Sequence, residues 1–557
     1  MPSSGHVISH HDHLSSLSDE LLLRILSYLP LSHLLGLSSV SRRLNRLSSD
    51  SQLWRQLYYM HFVLPRAMRI PGFRPNAGRL GSSASSRTVM RHCGADLRRY
   101  REQGGHGVDW KRQYKLRHNW SRGKCAVEEL EVGGAPITLR PAREQTLAKV
   151  VEGVAVTADA EAGLRAWDLK TKKLLAQIEL WDRVPTCMAI DGQDGGGGRL
   201  EIALGFLDGC FGIWALDTAG SQFTKRYCHS ESTNGKLVSV AYAFPYVMTA
   251  TESVLVSLYA FEVEKPSETL EKDGMREGPT VLGEIPSEVV WKYQIEPRTR
   301  PTSLKPAKMA KTSTLSPPCL MTSLKSHSSK SPLALSIRKM TTSTTAAIAY
   351  TLPTREGWTI GVQELHITSF PTDSKAPPEV SESRLAYAAP TVTGRSRDTP
   401  PGSTSSDTDD DSTTEDEYGP MALCYTHPYL LATLPDNTLV LYLCTTDATS
   451  LSISRGIRLW GHTSGIGDAE ITSRGKAVSV SCRGDEVRVW ELEGRIGGRS
   501  VEIRPSVGGE GGARDMGGSV GDVWDDRRSW VGFDDEMVIV LKEAKSGRES
   551  LVVYDFS

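Results

Sequence analysis

Three imidazoles fall within four positions at His10, His11 and His13, a spacing that can hold a transition metal. They lie in a polar leader ahead of any patterned segment, so an unstructured terminus is expected and no metal site. The nine cysteines are scattered from Cys93 to Cys482 without a Cys-x-x-Cys pair, which argues against structural zinc or a disulfide framework and suits a reducing compartment. Catalysis needs a nucleophile, base or metal cluster at usable spacing. The sequence offers no nucleophile elbow (G-x-S-x-G between a strand and a helix), no G-x-x-x-x-G-K-S/T phosphate loop and no H-E-x-x-H. The glycine runs at 195–198 and 508–512 lack the strand-to-helix setting that phosphate cradling requires. Arg165, Arg458 and Arg488 read as solvated strand or loop residues, not as a converging anion site. The expectation is a protein without an active site, cofactor or metal.

Charge gives two local features within a neutral whole of 65 basic and 66 acidic side chains. Residues 63–124 hold fifteen Lys or Arg against Asp96, Glu102 and Asp109. Without an aromatic-rich reading motif this is an interdomain or solvated basic face, and nucleic acid is not expected as a partner. Asp407 to Glu417 holds seven carboxylates among Ser and Thr, either a solvated spacer or a substrate for an acid-directed kinase. No run approaches the roughly eighteen apolar residues of a membrane helix. With no charged-then-apolar leader, a soluble protein of the cytoplasm and/or nucleus is expected.

At 557 residues, two or more folded units are required to carry these features. The first is announced by LSDELLLRILSYLP, residues 17–30, in which Leu22, Ile25, Leu26 and Leu29 fall on one helical face. Asp19 and Glu20 complement the helix dipole in the first turn, and Pro30 ends the pattern. Helical spacing resumes through Leu34, Leu37, Val40, Leu44 and Leu47, and again at Leu53, Trp54 and Leu57. Three or four short helices in roughly forty residues carry more apolar side chains than they can bury among themselves.

Those residues resemble an F-box. Its leucine-proline start, isoleucine-leucine pair, tyrosine-leucine, spaced leucines, valine and closing leucine-tryptophan correspond to Leu17, Ile25-Leu26, Tyr28-Leu29, Leu34, Leu37, Val40, Leu44 and Leu53-Trp54. Ser18 stands where proline is common and Ser41 where cysteine is common; Ser18 is expected to cap the helix that follows. The resemblance implies docking to the Skp1 adaptor of a cullin–RING ubiquitin ligase through Leu17, Ile25, Leu26, Leu29, Leu34, Leu37, Val40, Leu44, Leu53 and Trp54. The segment 108–125 looks like the connector that follows an F-box in fungal F-box/WD-repeat proteins. Its Trp110, Tyr114 and Arg117 share one helical face, expected to pack on the neighbouring domain.

From about residue 126 the helical period gives way to short β runs. Strands are expected to end near Trp167, Trp214, Tyr259, residue 365, Tyr442, Trp490 and Tyr554. The steps 167→214, 214→259 and 442→490 are 47, 45 and 48 residues, near the roughly 40–45 of one four-stranded propeller blade. Asp208 and Asp436 each lie six residues before the aromatic, as a turn aspartate does in a WD repeat. The run 459–493, with Gly461-His462 and Trp490, looks most like a WD40 repeat, although Asp485 is one residue out of register, which puts the hydrogen bonding of His462 in question. AVEELEV (126–132) is expected to close the last blade, and VVWKYQI (289–295) to be an outer strand.

The expected fold is thus multidomain: a small all-α F-box head followed by an all-β WD40-like propeller of seven blades with disordered loop insertions. The expected units are a disordered leader (1–14), the F-box (15–62), a basic connector with a helix (63–125) and the propeller (126–557), with insertions at about 263–330, 371–420 and 494–520. The resemblance implies a substrate receptor that makes no bond itself, with Skp1, and through it cullin–RING, as one partner and an unknown target on the propeller rim as the other. The alternative is a non-degradative scaffold whose F-box controls its own turnover.

Overall fold

The computed structural model describes residues 14–67 (except 15), 108–132, 146–191, 198–262, 314–368, 379–392, 419–492, 499–505, 530–543 and 549–557, with short internal gaps at 182, 327, 341–342, 356 and 448. The leader histidines, most of the basic connector, the acidic tract and the 289–295 run all lie outside the described residues.

The head is built from α1 (Asp19–Leu26), α2 (Leu31–Leu37), α3 (Arg42–Ser48) and α4 (Ser51–Tyr58), the last running through a π turn at Tyr59–Val63 into α5 (Leu64–Ala67). Its helices start where a side chain or a proline relieves the first turn. The Ser41 hydroxyl accepts from the Leu44 N–H at 3.2 Å, and the Asp50 carboxylate from the Gln52 N–H at 2.8 Å. Ser18 departs from expectation: its backbone is extended at the N-cap position, but its hydroxyl bonds the Glu20 carboxylate and makes no cap bond.

Seven sheets of four or five strands follow, spanning 147–178, 185–228, 237–325, 330–392, 422–459, 466–502 and 530–555, the seventh completed by Lys124–Glu131; all pairings are antiparallel except that of Lys124–Glu131 with Arg504–Pro505. We number these blades 1 to 7. First strands of successive blades contact one another all the way round, and Trp530–Phe533 of blade 7 meets Leu147–Val151 of blade 1, so the ring is closed. The 126–132 run closes it as expected: Ala126 pairs with Asp555 and Leu130 with Leu551. All seven expected aromatic or apolar markers fall in third strands, from Trp167 in Gly163–Asp168 to Tyr554 in Glu549–Asp555. These strands are buried on both faces between stacked blades, which is why their sequences are densely apolar.

Outer strands behave differently, and the insertion boundaries shift accordingly. The expected insertion 263–330 contains Cys319–Lys325, the fourth strand of blade 3. Likewise 371–420 contains Glu379–Tyr387, the fourth strand of blade 4, and 494–520 contains Arg499–Glu502, the fourth strand of blade 6. A fourth strand sits on the rim with one free edge, so its side chains are polar and read as loop.

In blade 6, two buried ring nitrogens converge on one serine hydroxyl. The Trp490 indole N–H donates to the Ser479 hydroxyl at 2.8 Å, and that oxygen lies 2.6 Å from His462 Nε2. The carboxylate facing His462 Nδ1, at 3.4 Å, belongs to Glu486; Asp485 turns away to accept from Ser481 at 2.5 Å. The out-of-register aspartate is thus replaced by its neighbour, and His462 is hydrogen-bonded through Nε2. Replacing Ser479, fully buried, by alanine leaves the indole N–H and the imidazole without their shared partner. A loss of about 1–3 kcal/mol is expected in denaturant unfolding, with an unchanged midpoint contradicting it. Arg165, expected on the surface, is buried. It pairs with Asp159 at 2.6 Å and donates to the Val132 carbonyl at 2.5 Å, tying blade 1 to the end of the closing strand. Arg458 pairs with Asp436 at 2.7 Å and Arg488 with Glu486 at 2.5 Å, so neither is a spare anion ligand.

Candidate functional site

The head has a small core of its own. Leu22 and Leu26 of α1 meet Leu34, Leu47, Leu53 and Trp54, with Leu17, Leu29 and Leu37 packed around them. The Trp54 indole N–H donates to the Ser48 carbonyl at 2.7 Å. Across the outside, Asp19 takes Arg43 at 2.7 Å and Arg46 at 2.6 Å, clamping α1 to α3. Hydrogen bonding from Arg43, with the charges of both arginines, holds the Asp19 carboxyl below its ordinary value of 3.8. A depressed folded-state pKa gives stability that is present above the unfolded value and lost as pH falls through the folded one. Acid titration of the head's unfolding is therefore expected to show weakening below about pH 4, and Asp19→Asn to flatten that dependence. An unaltered acid profile in the variant contradicts the clamp.

Burial sorts the ten residues expected to meet a partner. Leu26 (3 % exposed), Leu34 (1 %), Leu53 and Trp54 are interior, in one core cluster with Tyr114 from the connector. Leu17, Leu29, Leu37 and Leu44 are half-buried. Ile25 (45 %) and Val40 (67 %) face outward. Other large apolar side chains of the head share that exposure without having been singled out as partner contacts, among them Leu21, Tyr28 and Leu35. Leu21, Ile25 and Tyr28 follow one another at helical spacing along α1 and the turn after it. The signal was available, since α1 carries a second apolar stripe one residue ahead of Leu22 and Leu26. A stripe that the core does not cover is free for a partner.

The head is held to the propeller by α6 (Trp110–Arg122), which begins at an Asp109 cap accepting from the Arg112 N–H at 3.0 Å. One side of α6 serves the head: Tyr114 packs edge-on to Trp54 with ring centroids 5.3 Å apart, and Trp110 meets Tyr58. The other side serves the propeller. Trp120 stacks on Phe556 at 4.0 Å, donates its indole N–H to the Asp535 carbonyl at 2.9 Å and carries the Lys476 ammonium 3.7 Å above its ring. Arg112 pairs with Glu536 at 2.7 Å, and Arg117 lies 3.9 Å from Glu491. The expected Trp110, Tyr114 and Arg117 face is therefore divided between two neighbours. Gly123 ends α6 at φ +65°, where a Cβ would stand 2.3 Å from the Glu502 carbonyl oxygen, so glycine alone fits this turn.

Chain direction fixes which face of the ring the head occupies. Asp535 lies in the turn between the first and second strands of blade 7, Lys476 opens the second strand of blade 6, and Phe556 follows a third strand. The head is thus mounted at that end of the strands. The turns between second and third strands, and the loops between blades, are left at the opposite face. There Trp181 (65 % exposed, φ +48°), Leu207 and Trp460 are presented to solvent. Among the described residues no group of His, Cys, Asp and Glu is placed to hold a metal, and no helix is long and apolar enough to cross a membrane. One G-x-S-x-G string does occur, Gly517–Gly521, but it sits in a glycine-rich run outside the described residues.

A helical head of this pattern joined through one helix to a closed seven-bladed ring defines an F-box protein with a β-propeller. More particularly, the chain belongs to the F-box protein pof12 beta-propeller family, whose profile matches residues 125–557, and an F-box-like profile matches residues 14–60. It is similar to the F-box protein dre-1 of Caenorhabditis elegans, 38 % identical over 76 residues, which are 14 % of this chain and 8 % of that protein. The match thus spans a small part of that relative. Among solved structures it is similar to the computationally designed Ika8 protein (TM-score 0.33, 14 % identity, 73 % of this chain and 82 % of that one). It is also similar to U3-55K (TM-score 0.38, 9 % identity, 77 % and 98 %). At such scores the superpositions add nothing to the fold read from the strand pairing. An F-box joined to a propeller is an architecture typical of adaptor and receptor proteins.

Proposed function

We propose that this protein is the substrate-recognition subunit of an SCF ubiquitin ligase, the F-box head docking Skp1 and the propeller holding a target protein. The observation that carries the proposal is the outward apolar set Leu21, Ile25, Tyr28, Leu35 and Val40, left exposed on a head whose core is completed by Tyr114 of α6. Leu17, Leu29, Leu37 and Leu44 border that set, and Leu26, Leu34, Leu53 and Trp54 shape it from beneath. The receptor forms and breaks no covalent bond: it raises the effective concentration of target lysines near a ubiquitin-loaded enzyme supplied by the complex. The target would bind the face opposite the head, where nothing in the chain's own F-box obstructs it. The protein would work in the cytoplasm and/or nucleus, with neither cofactor nor membrane required.

The second reading, a scaffold whose F-box serves only its own turnover, is separated by protein abundance in cells carrying Ile25→Asp with Val40→Asp. A receptor predicts that proteins captured by the propeller accumulate. If only the F-box protein itself accumulates, the scaffold reading holds and the receptor reading fails.

A further inference from the structure

Blade 2 carries a pair of thiols whose surroundings are unlike those of the chain's other buried cysteines. Cys210 lies in the turn before the third strand of that blade, and Cys228 ends its fourth strand. Arg183, in the loop that enters the blade, donates through Nη1 to both sulfurs, at 2.8 Å to Cys210 and 3.2 Å to Cys228. One nitrogen thus holds both sulfurs, and the Cys228 sulfur also lies 3.7 Å from the His229 carbonyl oxygen. Asp208 accepts from the Cys210 N–H at 3.1 Å and lies 3.8 Å from Arg183 Nε. Cys210 is fully buried, while Cys228 retains partial exposure.

We propose that Cys210 and Cys228 are a reversible oxidation site, Cys228 being the thiol attacked by a peroxide and Cys210 the thiol that resolves it. The assignment follows from the asymmetry of the two positions. A thiolate is the nucleophile, and it is favoured next to fixed positive charge and where an oxidant can reach it. Cys228 has the guanidinium of Arg183, the nearby Lys225, a second thiol on the same guanidinium nitrogen, and partial exposure. Donation from Cys210, with Lys225 and Arg183 adding to it, lowers the Cys228 pKa; its bond to Cys228, burial and the Asp208 carboxylate raise that of Cys210.

In the first step the Cys228 thiolate attacks one oxygen of hydrogen peroxide. An S–O bond forms, the O–O bond breaks, and the departing hydroxide takes a proton to leave as water. Cys228 is then a sulfenic acid. In the second step the Cys210 sulfur attacks Cys228 sulfur, the S–O bond breaks, and the hydroxyl leaves with the Cys210 proton as a second water. Two thiols have lost two electrons, one peroxide has gained them, and a thiol reductant reverses the bond. Oxidation removes the anion that Arg183 grips. The loop carrying Arg183 also carries Trp181, whose exposed ring lies under the Lys225 ammonium at 4.9 Å on the face away from the head. The site is thereby wired to a surface that faces solvent.

The test uses the purified full-length protein, fully reduced, treated with hydrogen peroxide and then alkylated and mapped by mass spectrometry without reduction. The expected result is a Cys210–Cys228 linked peptide that forms before the exposed Cys319 is oxidised and that dithiothreitol reverses. Cys187 and Cys444, whose burial pushes their thiols up to about 12, should remain alkylatable after denaturation. In Cys210→Ser, dimedone should capture a sulfenic acid at Cys228, and Arg183→Gln should slow wild-type linkage several-fold. The proposal is overturned if peroxide oxidises Cys319 while Cys210 and Cys228 both stay reduced. It is equally overturned if the variant lacking Cys210 yields no sulfenic acid at Cys228. The wild-type map requires no variant to fold.

Discussion

Trp120→Ala is expected to be the most damaging single truncation in the connector, lowering stability by about 3–5 kcal/mol. Trp120 is almost fully buried and makes three different contacts with the propeller: the face of Phe556, the Asp535 carbonyl and the Lys476 ammonium. Alanine leaves a cavity where the ring was, the Asp535 carbonyl without its indole donor and a cation stripped of its aromatic partner, losses that add to the transfer term. The lost contacts join parts of the chain far apart in sequence, so the head should also separate from the ring. Denaturant unfolding followed by propeller and head probes would register both effects: a lower midpoint for blades 6 and 7, and transitions that no longer coincide. Trp110→Ala, on the head-facing side of the same helix, should perturb the head and spare the propeller midpoint. Equal effects of the two substitutions would contradict the division of α6 between its neighbours.

The neighbouring residues Ile25 and Leu26 are expected to give opposite results when each is changed to aspartate. Leu26 is interior, and a carboxylate there is buried without a partner, at a cost large enough to unfold a head of this size. Ile25 is nearly half exposed, so Ile25→Asp should move stability by no more than about 0.5 kcal/mol, the usual range for a surface change. Docking should respond in the reverse sense. A charge placed in the middle of an apolar contact acts as a hot-spot loss of about 2 kcal/mol or more, roughly thirtyfold in affinity. Circular dichroism and adaptor capture measured on both variants separate the effects. If Ile25→Asp unfolds the head, or leaves capture intact, the outward set is misassigned.

The contrast also explains what could be read in advance. The seven third strands were legible because burial on both faces demands dense apolar sequence at blade spacing, and Trp167, Trp214, Tyr442 and Trp490 stand out within it. The rim strands Cys319–Lys325, Glu379–Tyr387 and Arg499–Glu502 were not, since a strand with one free edge can be as polar as a loop. In the head, periodicity located α1 but did not orient it. Leu22 and Leu26 form one stripe and Leu21, Ile25 and Tyr28 another, and only packing against Leu47, Leu53 and Trp54 decides which turns inward. The family pattern names conserved-looking anchors without distinguishing a core residue from a contact residue. His462 shows the same limit on a smaller scale: its carboxylate partner is Glu486, two positions beyond where the register of Asp208 and Asp436 places it.

The claim that the head is an adaptor-docking module is tested most directly by titrating purified Skp1 into the purified full-length protein in a calorimeter. Wild type and the Ile25→Asp, Val40→Asp double variant should be compared at matched unfolding midpoints. The account predicts saturable binding to wild type and a loss of at least about thirtyfold in the equally folded variant. No binding to wild type, or the same affinity in both proteins, would contradict it.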